Sequence, residues 1–165
     1  MKHMALIWRL VVFSTLLALP VPASAQGQTV ISGEDPLVGT WRLIISHSTY
    51  KPGPAPQSQT RIYEKHSFGI KATVKTVYAD GRSTTVQSVY DYDKEEYPVT
   101  GSEDVDAIVV KRINAYTHEA TLSHAGLEIG TFRRVISSDG KRMRVTLRRP
   151  TPPADNVEVY EKDEQ

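Results

Sequence analysis

Short alternations of apolar and polar residues, broken by turn residues, run from residue 37 almost to the end of this chain. The first is Leu37-Val38-Gly39-Thr40-Trp41-Arg42-Leu43-Ile44-Ile45. A period of two places Trp41, Leu43 and Ile45 on one face of a strand and Arg42, Ile44 and Ser46 on the other. Similar runs follow at 59–66, 70–78, 83–92, 97–99, 106–113, 117–124, 128–136, 142–148 and 157–161. Between them lie the turn signals Ala79-Asp80-Gly81, Asp93-Lys94-Glu95-Glu96, Ala125-Gly126 and Ser138-Asp139-Gly140-Lys141. Val, Thr, Tyr and Ile fill the runs, as a pleated, half-buried surface prefers.

No helical periodicity interrupts the series. Between the first two runs, Pro52, Pro54 and Pro56 exclude a helix and favour a stiff extended crossing. The pattern predicts an all-β fold: a single closed antiparallel up-and-down β-barrel of about 8–10 strands, with no helical lid. Pairing the first strand with the last removes the two exposed edges that an open meander would keep.

Residues 1–25 follow a different pattern. Lys2 and Arg9 precede the apolar run Leu10 to Leu19, Pro20 and Pro22 break it, and Ala23-Ser24-Ala25 supplies small residues. This is the pattern of a cleaved secretory signal peptide. The apolar run is shorter than the ~20 residues a spanning helix needs, so no stable membrane insertion is expected after cleavage. The expected organisation is a signal peptide at 1–25, a loose leader at 26–36 and a barrel domain at 37–162, in a periplasmic or extracellular protein.

Composition narrows the function classes. The chain carries 20 basic and 19 acidic side chains, and loss of Lys2 and Arg9 with the signal leaves 18 against 19. That balance argues against nucleic acid as a partner. The absence of cysteine excludes disulfides, thiolate metal sites and a cysteine-linked lipid anchor. His118 and His124 share a predicted strand face but lie about 20 Å apart along it, too far for one ion. No nucleophile elbow, phosphate loop, HExxH or paired-acid motif is present, so no enzyme activity, cofactor or metal is expected.

Gly39-Thr40-Trp41-Arg42-Leu43 at the start and Val159-Tyr160-Glu161-Lys162 at the finish resemble the two ends of calycins of the fatty-acid-binding-protein branch. Lipocalins share the Gly-x-Trp opening. As a whole the chain resembles small exported bacterial lipocalin-like proteins, and the resemblance covers nearly all of residues 37 to 162. It implies a barrel with an internal cavity for a small apolar or amphipathic ligand. Two departures stand out. The Pro52 to Pro56 stretch replaces the family's helix-turn-helix. In place of the family's terminal Arg-x-Tyr, which holds a ligand carboxylate, stands Glu158-Val159-Tyr160.

The candidate ligand-binding residues are therefore Tyr63, Tyr90, Tyr92, Arg144, Glu158 and Tyr160. Tyrosine offers an apolar body with a polar tip, which suits an amphiphile. If the last strand keeps the family register, Glu158 and Tyr160 point inward. An ionised carboxylate there needs a partner, and Arg144 on the neighbouring strand is the expected one, with Tyr160 bonded to the carboxylate. Such a pair would favour a neutral or cationic ligand. Trp41 is expected to plug the closed end of the barrel. The remaining arginines of the run Arg133, Arg134, Lys141, Arg142, Arg144, Arg148 and Arg149 are expected on the solvated outer face. The alternative to a ligand binder is a structural or protein-interaction domain with a filled interior, acting through that basic surface.

Overall fold

The computed structural model describes residues 34–150 and 153–164. The expected signal peptide and most of the expected leader lie outside the described residues.

Ten strands form one closed antiparallel barrel in sequential order. They are β1 Gly39–Leu43, β2 Ser58–His66, β3 Gly69–Val77, β4 Ser83–Tyr90, β5 Asp93–Thr100, β6 Ala107–Asn114, β7 Thr117–His124, β8 Leu127–Ile136, β9 Arg142–Pro150 and β10 Pro153–Lys162. The expected fold class is the observed one. The one helix among the described residues is a three-residue 3-10 turn at Ile45–His47. No described helix is long and apolar enough to cross a membrane.

The closing seam is short. β1 pairs with β10 through Trp41↔Lys162, Arg42↔Glu161 and Leu43↔Tyr160. Beyond Leu43 the chain leaves the sheet, then returns to β10. Thr49 exchanges both backbone hydrogen bonds with Val157 (2.7 and 2.8 Å), and the Asp155 amide donates to the Lys51 carbonyl (2.8 Å). The Pro52 to Pro56 arch leaves from there and crosses to β2, where the helical lid of fatty-acid binders would sit.

Gly39 shows why the chain opens on Gly-x-Trp. Its φ of 135° lies where side chains are strained, and a Cβ would fall 2.5 Å from Lys162 Cε. Without that Cβ, Lys162 lies along β1 and places its ammonium 5.1 Å from the Trp41 ring. Trp41 is fully buried, and its indole donates to the Leu37 carbonyl at 2.8 Å. Leu37, also fully buried, is held by Asp35, whose carboxylate accepts from the Leu37 amide at 3.0 Å. Residues 35–38 thus cross the end of the barrel where β1 begins.

Three details differ from the sequence reading. Asp93 to Glu96, expected as a turn, belongs to β5. Its register against β6 shifts between Asp93 and Glu96, and Lys94 has a φ of 71°. These residues are charged because nearly all of β5 is exposed, not because the chain turns there. Pro153 to Asp155, expected as part of a loop at 151–155 before the last run, pairs with β9 through Pro153↔Pro150 to Asp155↔Arg148. The two histidines of β7 do not share a face. A register shift at Leu122/Ser123 buries both of those residues and leaves His124 exposed while His118 is fully buried.

Candidate functional site

The mouth of the barrel lies at the end where β2 and β10 begin, beneath the proline arch. A cavity of about 420 Å³ descends from it, within the range of small-molecule pockets. The arch contributes Tyr50, Pro52, Pro54 and Pro56. The walls include Val74, Val86, Ile108, Leu122, Phe132, Val145 and Leu147, and the polar groups include Gln59, Arg61, Tyr63, Tyr90, Arg134, Arg149 and Glu158. The interior is not filled by its own side chains.

The last strand has the inward register expected from the resemblance. Glu158 is 5% and Tyr160 0% exposed. The partner of Glu158 is not Arg144. Arg144 sits across from Val159 and lies exposed between the buried Met143 and Val145, so it points away from the cavity. Glu158 is instead paired with Arg61 of β2, Nη2 to Oε2 at 2.7 Å. Arg61 Nε also donates to the Tyr160 hydroxyl at 2.8 Å, and that hydroxyl lies 2.6 Å from Glu158 Oε2 with the Gln59 carbonyl oxygen beside it. Gln59 is fixed in turn by donating to Thr76 Oγ1 at 2.9 Å. The carboxylate that replaces the family's arginine thus finds a guanidinium across the closing seam. β1 is only five residues long. Arg61 pairs with Trp41 in the middle of that strand, and Glu158 lies two residues beyond Tyr160, the partner of Leu43 at its end, so the long arginine side chain spans the seam inside the barrel.

A second guanidinium is more deeply buried. Arg134 of β8 is 1% exposed. It points inward in phase with Phe132 and Ile136, so the expectation that it lies on the outer face is corrected. It donates to the Tyr90 hydroxyl at 3.3 Å and to His118 Nδ1 at 3.5 Å, and sits 4.8 Å from the centre of the Tyr63 ring. No carboxylate pairs with it among the described residues. Arginine stays charged in such surroundings. The cavity therefore holds one compensated ion pair and one cation without a counter-charge.

The titratable neighbours respond to this charge. Burial pushes the Tyr90 hydroxyl up, only partly opposed by Arg134. Burial also works to raise Tyr63, but the guanidiniums of Arg134 and Arg61 outweigh it and leave that phenol below its ordinary value. Tyr92 lies outside the cavity wall. It stacks on His118 at 5.0 Å and donates to Asp35 Oδ2 at 3.2 Å, linking the barrel interior to the segment that crosses its closed end.

His118 accepts from Arg134 on Nδ1, so its proton sits on Nε2, which has no partner among the described residues. Burial first, and then the charges of Arg134 and Arg112, lower it from 6.5 to about 3. Below pH 6.5 the unfolded chain takes up a proton that the folded protein refuses. The contribution to stability is complete above 6.5 and is lost as pH falls toward 3, at up to about 1.4 kcal/mol per pH unit. Replacing His118 by Phe keeps the stack on Tyr92 and removes this proton. Between pH 7.5 and 4.5 the variant should lose about 2.7 kcal/mol less stability than the parent. Urea midpoints at the two pH values measure the difference. Equal losses would show that His118 does not carry the acid limb.

Of the sequence-derived candidates, Tyr63, Tyr90 and Glu158 line the cavity, Tyr160 backs Glu158, Tyr92 lies beyond the wall and Arg144 is outside. Arg61, Arg134, Arg149 and Gln59 were missed. Arg149 shares the inward phase of Met143, Val145 and Leu147, a signal present in the alternation of β9. Phe132-Arg133-Arg134-Val135-Ile136 is ambiguous, because apolar residues occupy both phases.

No family model matches the chain, and no curated protein matches it. Among solved structures, a single-residue mutant of the fluorescent protein UnaG matches with a TM-score of 0.53 and 18% identity, over 79% of this chain and 99% of that one. Wild-type UnaG matches with a TM-score of 0.51 and 21% identity, over 78% and 98%. At these identities the likeness concerns the fold. The chain folds as a closed antiparallel ten-stranded barrel, the fold seen in lipocalins and fatty-acid-binding proteins.

Proposed function

We propose that this protein is an exported carrier or receptor of a small amphipathic molecule, bound in the barrel with an anionic head group at Arg134. One observation carries the reading: a cavity of about 420 Å³ with a buried guanidinium that no carboxylate neutralises. A ligand carboxylate or sulfonate would supply that counter-charge. Tyr63 and Tyr90 flank the position, and Phe132, Val145 and Leu147 offer apolar surface to the tail. The Arg61–Glu158–Tyr160 group is internally satisfied and serves as the polar wall opposite.

The test is displacement of an apolar fluorescent probe by dodecanoate, dodecan-1-ol and dodecyltrimethylammonium. Dodecanoate should displace best and the cation worst. Arg134→Met should lose roughly 30-fold or more in dodecanoate affinity, as removal of one partner of a desolvated charge pair costs about 2–5 kcal/mol. Its unliganded stability should stay level or rise, because a buried unpaired charge is gone. Failure of the probe and of all three compounds to bind would overturn the proposal.

Export rests on the Lys2 to Ala25 pattern. Amino-terminal sequencing of the protein from its native host should begin at Gln26. A mature chain that still begins at Met1 would refute export by this signal.

A further inference from the structure

β9 carries an inward column whose two ends are chemically alike. Val145 of this strand stands opposite Arg134 on β8. Leu147 and Arg149 follow in the same phase toward the mouth, and both line the cavity. Four residues of strand separate the level of Arg134 from Arg149, a span of about 13 Å. The wall between them, Val145, Leu147 and Phe132, is apolar. The column therefore reads guanidinium, apolar stretch, guanidinium.

Arg149 is placed with some care for a residue at a barrel mouth. Its side chain is 21% exposed, and its Nε is buried with no partner. Gly130 lies across from it on β8. A Cβ at Gly130 would fall 2.8 Å from Arg149 Cγ and 2.6 Å from the Arg148 carbonyl oxygen. The glycine there keeps a slot for the arginine stem. The facing carboxylate is Asp104, 3.6 Å from Nη1 and itself 75% exposed, so solvent screens the pair and leaves it weak. On the arch, the Tyr50 hydroxyl is a second buried polar atom without a partner that borders the same cavity. Groups this well buried are normally satisfied.

We propose that the ligand is an elongated amphiphile with an acidic group at each end, the inner one at Arg134 and the outer one at Arg149. The inference rests on the anionic-head reading above and adds the class of ligand: a molecule with two acidic ends and an apolar middle, rather than a monoacid with a free apolar tail. The Tyr50 hydroxyl is placed to donate to a further oxygen along it.

The experiment compares dodecanoate with dodecanedioate, whose second carboxylate reaches the level of Arg149 when extended, by calorimetry on the mature chain. Dodecanedioate should bind tighter by roughly tenfold to a hundredfold, the worth of a charge-assisted hydrogen bond at a partly desolvated site. In Arg149→Leu the ratio of the two affinities should fall to about one. Arg149→Gln, which keeps the stem against Gly130, serves if the leucine variant does not fold. If dodecanoate binds and dodecanedioate binds no tighter, the second site is refuted and the inner one stands. If the advantage persists in both Arg149 variants, the outer acid is not held by Arg149 and the proposal falls. If neither acid binds, the anionic-head reading fails and takes this proposal with it.

Discussion

Arg61→Leu should destabilise the protein by about 3–5 kcal/mol at neutral pH, because it leaves Glu158 buried without its cation. The two side chains are only 15% and 6% exposed, so solvent cannot take over the role of the guanidinium. Burial penalises a carboxylate that has lost the cation bonded to it. Arg61→Leu combined with Glu158→Leu should recover most of the loss, since replacing both members of a buried pair by apolar residues is often neutral. Urea titrations of the two single variants and the double variant form a complete cycle. A single-variant loss below about 1 kcal/mol at pH 7 would mean that the pair contributes no more than a surface ion pair does.

Trp41→Ala should cost about 3–5 kcal/mol, the usual range for truncating a buried large aromatic. The expectation rests on three losses at one position. The indole is fully buried, its N–H is bonded to the Leu37 carbonyl, and its ring faces the Lys162 ammonium. The lost bond also releases Leu37, so residues 35–38 should loosen over the end of the barrel. Trp41→Phe separates the contributions: it keeps the apolar bulk and the face for Lys162 and loses the donor, and should cost about 1–2 kcal/mol. Thermal unfolding of the three proteins checks the order. If the phenylalanine variant were as damaged as the alanine variant, the N–H bond rather than the packing would hold this end together.

Much of the architecture was legible because a barrel repeats one signal. Period-two alternation, turn residues and the Pro52 to Pro56 interruption are local, and each identifies an element without help from the others. Glu158 and Tyr160 could also be turned inward, since the resemblance supplied a register for the final strand. The partner of Glu158 was beyond such reasoning. Arg144 is its neighbour on the adjacent strand, but sheet neighbours share a face only in matching phase, and Arg144 is in phase with the exposed Arg142. Arg61 comes from β2, on the far side of the five-residue β1, where it pairs with Trp41, and no periodicity reports that a long side chain will reach across an intervening strand inside a barrel. Arg134 illustrates a different limit. Both phases of β8 carry apolar residues around it, and a charged residue is assigned outward by default. Only the packing of Ile136 into the core decides the phase. His118 and His124 failed for a third reason: the register against β8 shifts after Leu122, where Ile129 of β8 is the extra residue, and nothing in Leu122-Ser123-His124 announces it.

The closing seam carries a consequence for how the chain comes to be folded. β1 and β10 lie at opposite ends of the sequence, yet Trp41 pairs with Lys162 and Leu43 with Tyr160. Every other seam joins neighbouring hairpin strands and can form as soon as its second strand exists. This one closes the longest loop in the molecule, and its entropy must be lost before any of its hydrogen bonds is gained. The ring therefore seals last, and until it does, β1 presents an unpaired edge to other chains. Relocating the break offers a direct check. A permuted chain that joins Asp163 to Glu34 through a flexible linker, keeping Asp35 and Leu37 over the barrel end, and opens at the exposed Asp80–Gly81 turn makes the slow seam a local pairing. It should fold faster than the parent while reaching the same barrel.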